Sequence, residues 1–177
     1  MNKKIIIATF LLCTLIVVLT FVIIWNMSSQ AALFIDPQTA QAAKGQNFTI
    51  KVNISNVIDL YAWSFRLGWN TTILEVVKIT EDNFLKNHGE TFFISKTNNT
   101  AEYIQVDCTL LGNLPGVNGS GTLATIQFHV GNTGSCDLTL YETMLINSAE
   151  QTINHKGGQN DQTVKKLVKA PEAFNPE

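Results

Sequence analysis

From Ala32 onward, apolar and polar residues alternate with a period of two, in short runs bounded by Gly, Asn, Asp and Pro. A strand sends successive side chains to opposite faces, so this pattern predicts half-buried strands. Phe48, Ile50, Val52 and Ile54 alternate with Asn47, Thr49, Lys51 and Asn53, which puts the first set on a core face. Tyr61, Trp63, Phe65, Leu67 and Trp69 alternate with Ala62, Ser64, Arg66 and Gly68, an aromatic row directed inward with a polar row behind it. Ile104, Val106, Cys108 and Leu110 form another inward set, followed by Ala124, Ile126, Phe128 and Val130, and by Cys136, Leu138 and Leu140. Further strands are predicted at Leu33 to Asp36, Ile73 to Ile79, Thr91 to Ser95, Glu150 to Asn154, and Gln162 to Val168 after the Gly157-Gly158 turn. Helical periodicity is almost absent. About nine short strands joined by tight turns predict an all-β fold, an antiparallel two-sheet β-sandwich. Lys165 and Lys166 suit an edge position for the last strand, because charge there discourages further pairing.

The N-terminal pattern is different. From Ile5 to Trp25 there is no charge, and only Thr9, Thr14 and Thr20 are polar. As a helix this segment reaches about 30 Å, the thickness of a bilayer's hydrocarbon core. Lys3 and Lys4 precede it and the next basic residue is Lys44, so the positive-inside rule exports everything after Trp25. Ser29-Gln30-Ala31 and Gln30-Ala31-Ala32 offer signal-peptidase sites, but the apolar run is longer than the usual secretory core, which favours an uncleaved anchor. The chain divides into a signal anchor or signal peptide (1–31), a sandwich (32–169) and a short tail (170–177) expected to be disordered. The expected location is the cell membrane with the domain outside the cytoplasm, or the exterior after cleavage.

At 177 residues the chain has no room for a large multidomain enzyme. Only 15% of residues are charged, a deficit to which the uncharged N-terminal run contributes. After Lys3 and Lys4, ten basic residues face fourteen acidic ones, a net charge of −4 that argues against nucleic acid as a partner. Cys13 lies in the apolar run, leaving Cys108 and Cys136 on inward positions. They suit either one disulfide, which in an oxidising compartment would add about 3 to 4 kcal/mol, or two buried thiols.

Asn47, Asn53, Asn70, Asn98 and Asn118 each begin an N-x-[ST] sequon, with Asn47 and Asn53 outward on a strand and the other three in turns. No catalytic constellation emerges. His88, His129 and His155 are scattered, and Ser120 in Asn118-Gly119-Ser120-Gly121 belongs to a hairpin turn rather than a nucleophile elbow. Glu75, Glu81, Asp82 and Asp107 carry no mark of partnership, Glu81 and Asp82 reading as a solvated turn. No calcium-loop motif exists, although Asp36, Asp59 or Asp161 with backbone carbonyls could hold the ion. An enzyme is not expected, nor a metal or other cofactor beyond that calcium.

The run Asn53-Ile54-Ser55-Asn56-Val57-Ile58-Asp59-Leu60-Tyr61-Ala62-Trp63-Ser64-Phe65, then Leu67-Gly68-Trp69-Asn70 and Ile73-Leu74-Glu75-Val76-Val77, resembles a cohesin domain. Gly119 to Val130 is similar to the family's glycine, leucine, I-x-F-x-V strand, and Gly134 to Leu140 to its successor. The resemblance covers roughly residues 32–169. It implies a nine-stranded jelly roll, related to carbohydrate-binding modules, that docks exported proteins bearing calcium-loaded dockerin modules. It also implies that the outward positions of the aromatic strand, Ala62, Ser64 and Arg66, contact the partner, with Gln105 and Asp107 on a neighbouring strand extending the face. Two other readings stay open: a carbohydrate-binding module, which needs exposed rings, and a structural adhesion domain. Trp63, Phe65 and Trp69 take the inward phase and Tyr103 the outward one, while Phe92, Phe93 and Tyr141 fit either.

Overall fold

The computed structural model describes residues 30–157 and 164–170. The apolar run 5–25 and residues 171–177 lie outside the described residues, as do Asp161 and the start of the last predicted strand. The strands are β1 (Ala31–Asp36), β2 (Thr39–Gln41), β3 (Asn47–Gly68), β4 (Leu74–Glu81), β5 (Thr91–Asn98), β6 (Tyr103–Leu110), β7 (Val117–Val130), β8 (Gly134–Asn147), β9 (His155–Lys156) and β10 (Val164–Ala170). Among the described residues one short helix, α1 (Asn83–Lys86), separates β4 from β5.

The two predicted strands at 48–54 and 61–69 are one continuous element, β3, which serves both layers. Its first half pairs with β1 (Ala32↔Ser55 to Asp36↔Lys51) and β7 (Asn47↔His129 to Val52↔Ala124). Its second half pairs with β6 (Ala62↔Thr109 to Gly68↔Tyr103) and β8 (Leu60↔Asn147 to Gly68↔Thr139). One layer therefore runs β9-β1-β3-β7-β4 and the other β2-β10-β8-β3-β6-β5. The pairing is antiparallel except for β1 with β9 and β10 with β2, which are parallel and correct the wholly antiparallel expectation.

The chain changes layers at Asn56 and Asp59, both in left-handed backbone (φ 53° and 60°), a conformation that Asn and Asp tolerate better than bulky residues. Side chains fasten this bend. Asp59 Oδ1 accepts from Gly116 N at 3.0 Å, its Oδ2 accepts from Ser148 Oγ at 2.8 Å, and its own N–H donates to Asn118 Oδ1 at 2.7 Å. A Cβ on Gly116 would come within 2.5 Å of the Asp59 backbone, so the close approach requires glycine.

The inward rows meet as expected. Ile50, Val52, Ile54, Ala124, Ile126, Phe128 and Val130 pack from one layer against Phe65, Leu67, Ile104, Val106, Leu138 and Leu140 from the other, all buried. Trp63 and Phe65 stack at 5.6 Å, and Trp69 tilts against Phe128 at 6.1 Å. A bulge at Tyr61-Ala62, both opposite Ile146, lets Leu60 take the core position and leaves Tyr61 half-buried, its hydroxyl donating to Gly112 O.

The last strand, with Lys165 and Lys166, is not an edge strand, because β10 pairs with β8 on one side and with β2 on the other. Three further local expectations change. Glu81 and Asp82 are not a solvated turn: Glu81 ends β4 and Asp82 caps α1, accepting from Asn83 N at 3.1 Å and from Thr125 Oγ1 at 2.7 Å, with Leu85 of the helix buried. Residues 150–154 follow a turn closed by Glu150 N donating to Asn147 O at 3.0 Å and carry an isolated bridge from Thr152 to Ile146, and the strand begins at His155 instead. Ala170 closes β10 instead of opening the tail.

Candidate functional site

The outer face of the β8-β3-β6-β5 layer carries the residues singled out for partner contact. Cross-strand register arranges it in three rows: Ile146, Ala62, Thr109, Phe92; then Met144, Ser64, Asp107, Ile94; then Tyr141, Arg66, Gln105, Lys96. Ala62, Ser64, Arg66, Gln105 and Asp107 thus share one surface, each partly exposed. Arg66 Nη1 meets Glu142 Oε2 at 2.6 Å, and its guanidinium lies 4.8 Å from the Tyr103 ring centroid. Gln105 Nε2 donates to Asp107 Oδ2 at 3.2 Å.

Beside these polar groups lies an apolar area that the alternation reading left undecided. Phe92 and Ile94 are 56% and 50% exposed and Met144 is 48% exposed, more than is usual for large apolar side chains in a folded domain. A shallow cavity of about 200 Å³ is lined by Ala62, Ser64, Phe92, Thr109, Met144 and Ile146, with Trp63 and Cys108 beneath. Phe93 packs inward, edge-on to Trp63 at 6.1 Å. The phase of β5 would have assigned Phe92 outward had its pairing with β6 been known. Met144 and Glu142 were hidden because a bulge on β8, with Glu142 at φ 45°, shifts the alternation there.

Of the rings weighed for a sugar platform, Trp63, Phe65 and Trp69 are buried and Tyr103 lies against Arg66, while Phe92 is exposed. Cys108 and Cys136 are separate buried thiols rather than a disulfide. Cys108 faces Trp63 on β3, whereas Cys136 lies three residues beyond Thr139, the partner of Gly68. The ladder places them roughly 25 Å apart at about 3.3 Å per residue, far outside disulfide reach. Burial pushes the Cys108 thiol pKa up, and the Glu81 carboxylate 3.5 Å away adds to it. Burial likewise raises that of Cys136, opposed by the N–H of Asn70.

The other singled-out residues have structural partners. Glu81 Oε1 accepts from Thr91 Oγ1 at 2.7 Å, with only 9% of the Glu81 side chain exposed. Glu75 lies on β4, away from that pair. Ser120 lies in β7, not in a turn, and its Oγ accepts from Asn56 N. His88 Nδ1 approaches Phe84 O, His129 Nδ1 approaches Asn47 Oδ1, and the buried His155 Nε2 lies 2.7 Å from Thr143 Oγ1. Asp36 is exposed at the end of β1, and Asp59 is committed to the layer bend. Among the described residues no group of three or more His, Cys, Asp or Glu converges on a metal position. Of the sequon asparagines, Asn47 and Asn53 lie on β3 and Asn70 in a turn, but Asn98 ends β5 and Asn118 belongs to β7, so those two are strand positions. Among the described residues no helix is long and apolar enough to cross a membrane.

Comparison with known proteins agrees with this architecture. A cohesin domain of Archaeoglobus fulgidus described as non-cellulosomal superposes with a TM-score of 0.65 at 17% identity, covering 81% of this chain and 93% of that one. A type I cohesin of Clostridium thermocellum, solved in complex with a dockerin, gives 0.66 at 16% identity, covering 81% of this chain and all of that one. The solution structure of a Clostridium acetobutylicum cohesin gives 0.64 at 18% identity, covering 83% of this chain and 94% of the other. In sequence, 90 residues are 30% identical to the cellulose-binding protein A of Clostridium cellulovorans, a match that takes in 51% of this chain but only 5% of that much longer protein. The family model for the cohesin domain matches residues 33–165, the whole sandwich except its first and last few residues, and the chain therefore belongs to the cohesin domain family.

Proposed function

We propose that this chain is a non-catalytic receptor module whose β8-β3-β6-β5 face docks a dockerin-type module of another exported protein. One observation carries the reading: a flat sheet face sets the exposed apolar side chains Phe92, Ile94 and Met144 beside the charged groups Arg66, Glu142 and Asp107. That is the composition of a protein-docking surface, with apolar side chains to desolvate and charges to fix register. Family membership supports it, as does the dockerin complex of the Clostridium thermocellum relative. Calcium in this scheme belongs to the partner. The uncharged run 5–25 after Lys3 and Lys4 supports a module held at the membrane with its sandwich outside the cytoplasm. The name of the Clostridium cellulovorans relative supports a setting in polysaccharide attachment or breakdown.

The test is capture from the host's exported proteins on the immobilised full-length chain, with and without a calcium chelator, read by mass spectrometry. Recovery of a protein with duplicated calcium loops, released by the chelator, establishes docking. Retention on polysaccharide with no protein captured transfers the function to carbohydrate binding.

A further inference from the structure

The two layers end in four outer strands, and three of them are guarded against further pairing. β9 has two residues and β2 has three, and the register of β4 breaks between Val76 and Lys78, leaving Val77 bulged beside charged Glu75 and Lys78. Short, bulged or charged edges are poor templates for another strand. β5 is different. It runs eight residues without Pro or Gly, and its register with β6 is unbroken from Thr91↔Leu110 to Asn98↔Tyr103. Among the described residues β6 is its only ladder partner.

The direction of its backbone groups follows from one hydrogen bond. Glu90 O accepts from Leu111 N at 2.8 Å, so in antiparallel alternation the peptide groups of Phe92, Ile94 and Lys96 turn toward β6. Those of Thr91, Phe93, Ser95 and Thr97 turn toward the open edge. Ser95 and Thr97 are exposed even though they sit on the inward phase, so β4, whose Glu81 meets β5 at Thr91, leaves the Ser95 end of this edge open.

We infer that β5 pairs through its open edge with β5 of a second copy of this chain, antiparallel, about a twofold axis through Ile94. This register is self-complementary in three respects. Phe93 of one copy and Ser95 of the other exchange backbone hydrogen bonds through groups that already point outward. Ile94 faces Ile94 as a pair without direct hydrogen bonds, the arrangement in which opposed side chains lie nearest, with Cα atoms about 4.5 Å apart. Phe92 faces Lys96 of the other copy, setting an ammonium against a ring and giving the one edge charge an attractive neighbour. An axis through one residue, perpendicular to the sheet, keeps both outer faces on the same side. The product is a closed twofold dimer presenting two docking faces side by side. The inference does not rest on the docking reading, although Phe92 and Ile94 border both the edge and the docking face.

Cross-linking in the full-length chain, in detergent micelles and in a Cys13→Ser background, tests it. Ile94→Cys should form a reductant-sensitive species of twice the chain mass on mild oxidation, since the two Cα atoms fall within disulfide reach. Ile58→Cys, at a 70% exposed position on the layer bend, should not. Adding Ser95→Pro removes one edge-facing N–H and leaves the β6 ladder intact, so it should abolish the cross-link without changing the melting temperature. If Ser95→Pro fails to fold, Phe92→Lys, which opposes like charges across the axis, serves the same purpose. No dimer from Ile94→Cys, equal dimer from Ile58→Cys, or a product of any other mass overturns the inference.

Discussion

Arg66 on β3 and Glu142 on β8 meet at 2.6 Å on the outer face, and the same guanidinium covers Tyr103 from 4.8 Å. The pair spans the bulge that carries Glu142, so it fixes a cation at the centre of the third row of the face. Both side chains are partly solvated, at 33% and 58% exposure, so the pair adds little to folding, on the order of 0.2 to 1 kcal/mol. Arg66→Glu should therefore leave the melting temperature within a few degrees of the parent and weaken partner capture by reversing the charge. Calorimetry and immobilised-partner binding on one preparation separate the two effects. Unaltered affinity would move the docking site to another face.

Trp63 on β3 and Phe92 on β5 line the same shallow cavity from opposite faces of one sheet, the first buried and the second exposed. Trp63→Ala opens the core where the indole stacks on Phe65, and should cost about 3 to 5 kcal/mol in denaturant unfolding. Phe92→Ala should cost less than about 1 kcal/mol, because its ring is mostly solvated already, while reducing partner capture. A Trp63→Ala chain of full stability that had lost polysaccharide binding would favour the carbohydrate reading.

Reductant should not change the melting temperature, because Cys108 and Cys136 are separate thiols. Both have pKa values raised chiefly by burial, which leaves little thiolate to react. Alkylation at pH 8 should be slow in the folded protein and rapid in denaturant, as peptide mass mapping would show. A fall in melting temperature on reduction would instead indicate a bond.

His155 introduces a pH dependence. Burial holds its imidazole below the ordinary value, and the hydrogen bond to Ile153 O only partly offsets this. The folded state thus prefers neutral His155, and the unfolded chain takes up the proton first as pH falls through about 6.5. The contribution is fully present above that pH and declines as pH drops toward the folded-state value. His155→Gln, which cannot protonate, should flatten this part of a melting curve series between pH 7.5 and 5. A parallel decline in both proteins would assign the effect to other groups.

Residue alternation alone determined which side faces inward along the regular stretches of strand. It placed Trp63, Phe65, Leu67 and Trp69 in the core and Ala62, Ser64 and Arg66 on the surface, because a pleated strand has a period of two wherever its backbone is regular. Where the backbone is irregular, that rule loses phase. The bulges at Tyr61-Ala62 and at Glu142, the left-handed bend from Asn56 to Asp59, and the capped turn of helix after Asp82 all depend on partners far away in the chain, such as Gly116, Ser148 and Thr125. Only the tertiary structure decided that β3 belongs to both layers, that the two thiols lie far apart, and that Phe92, Ile94 and Met144 join Arg66 on one face. Those outcomes are set by register between strands, and register is a property of pairs of segments that no single segment encodes.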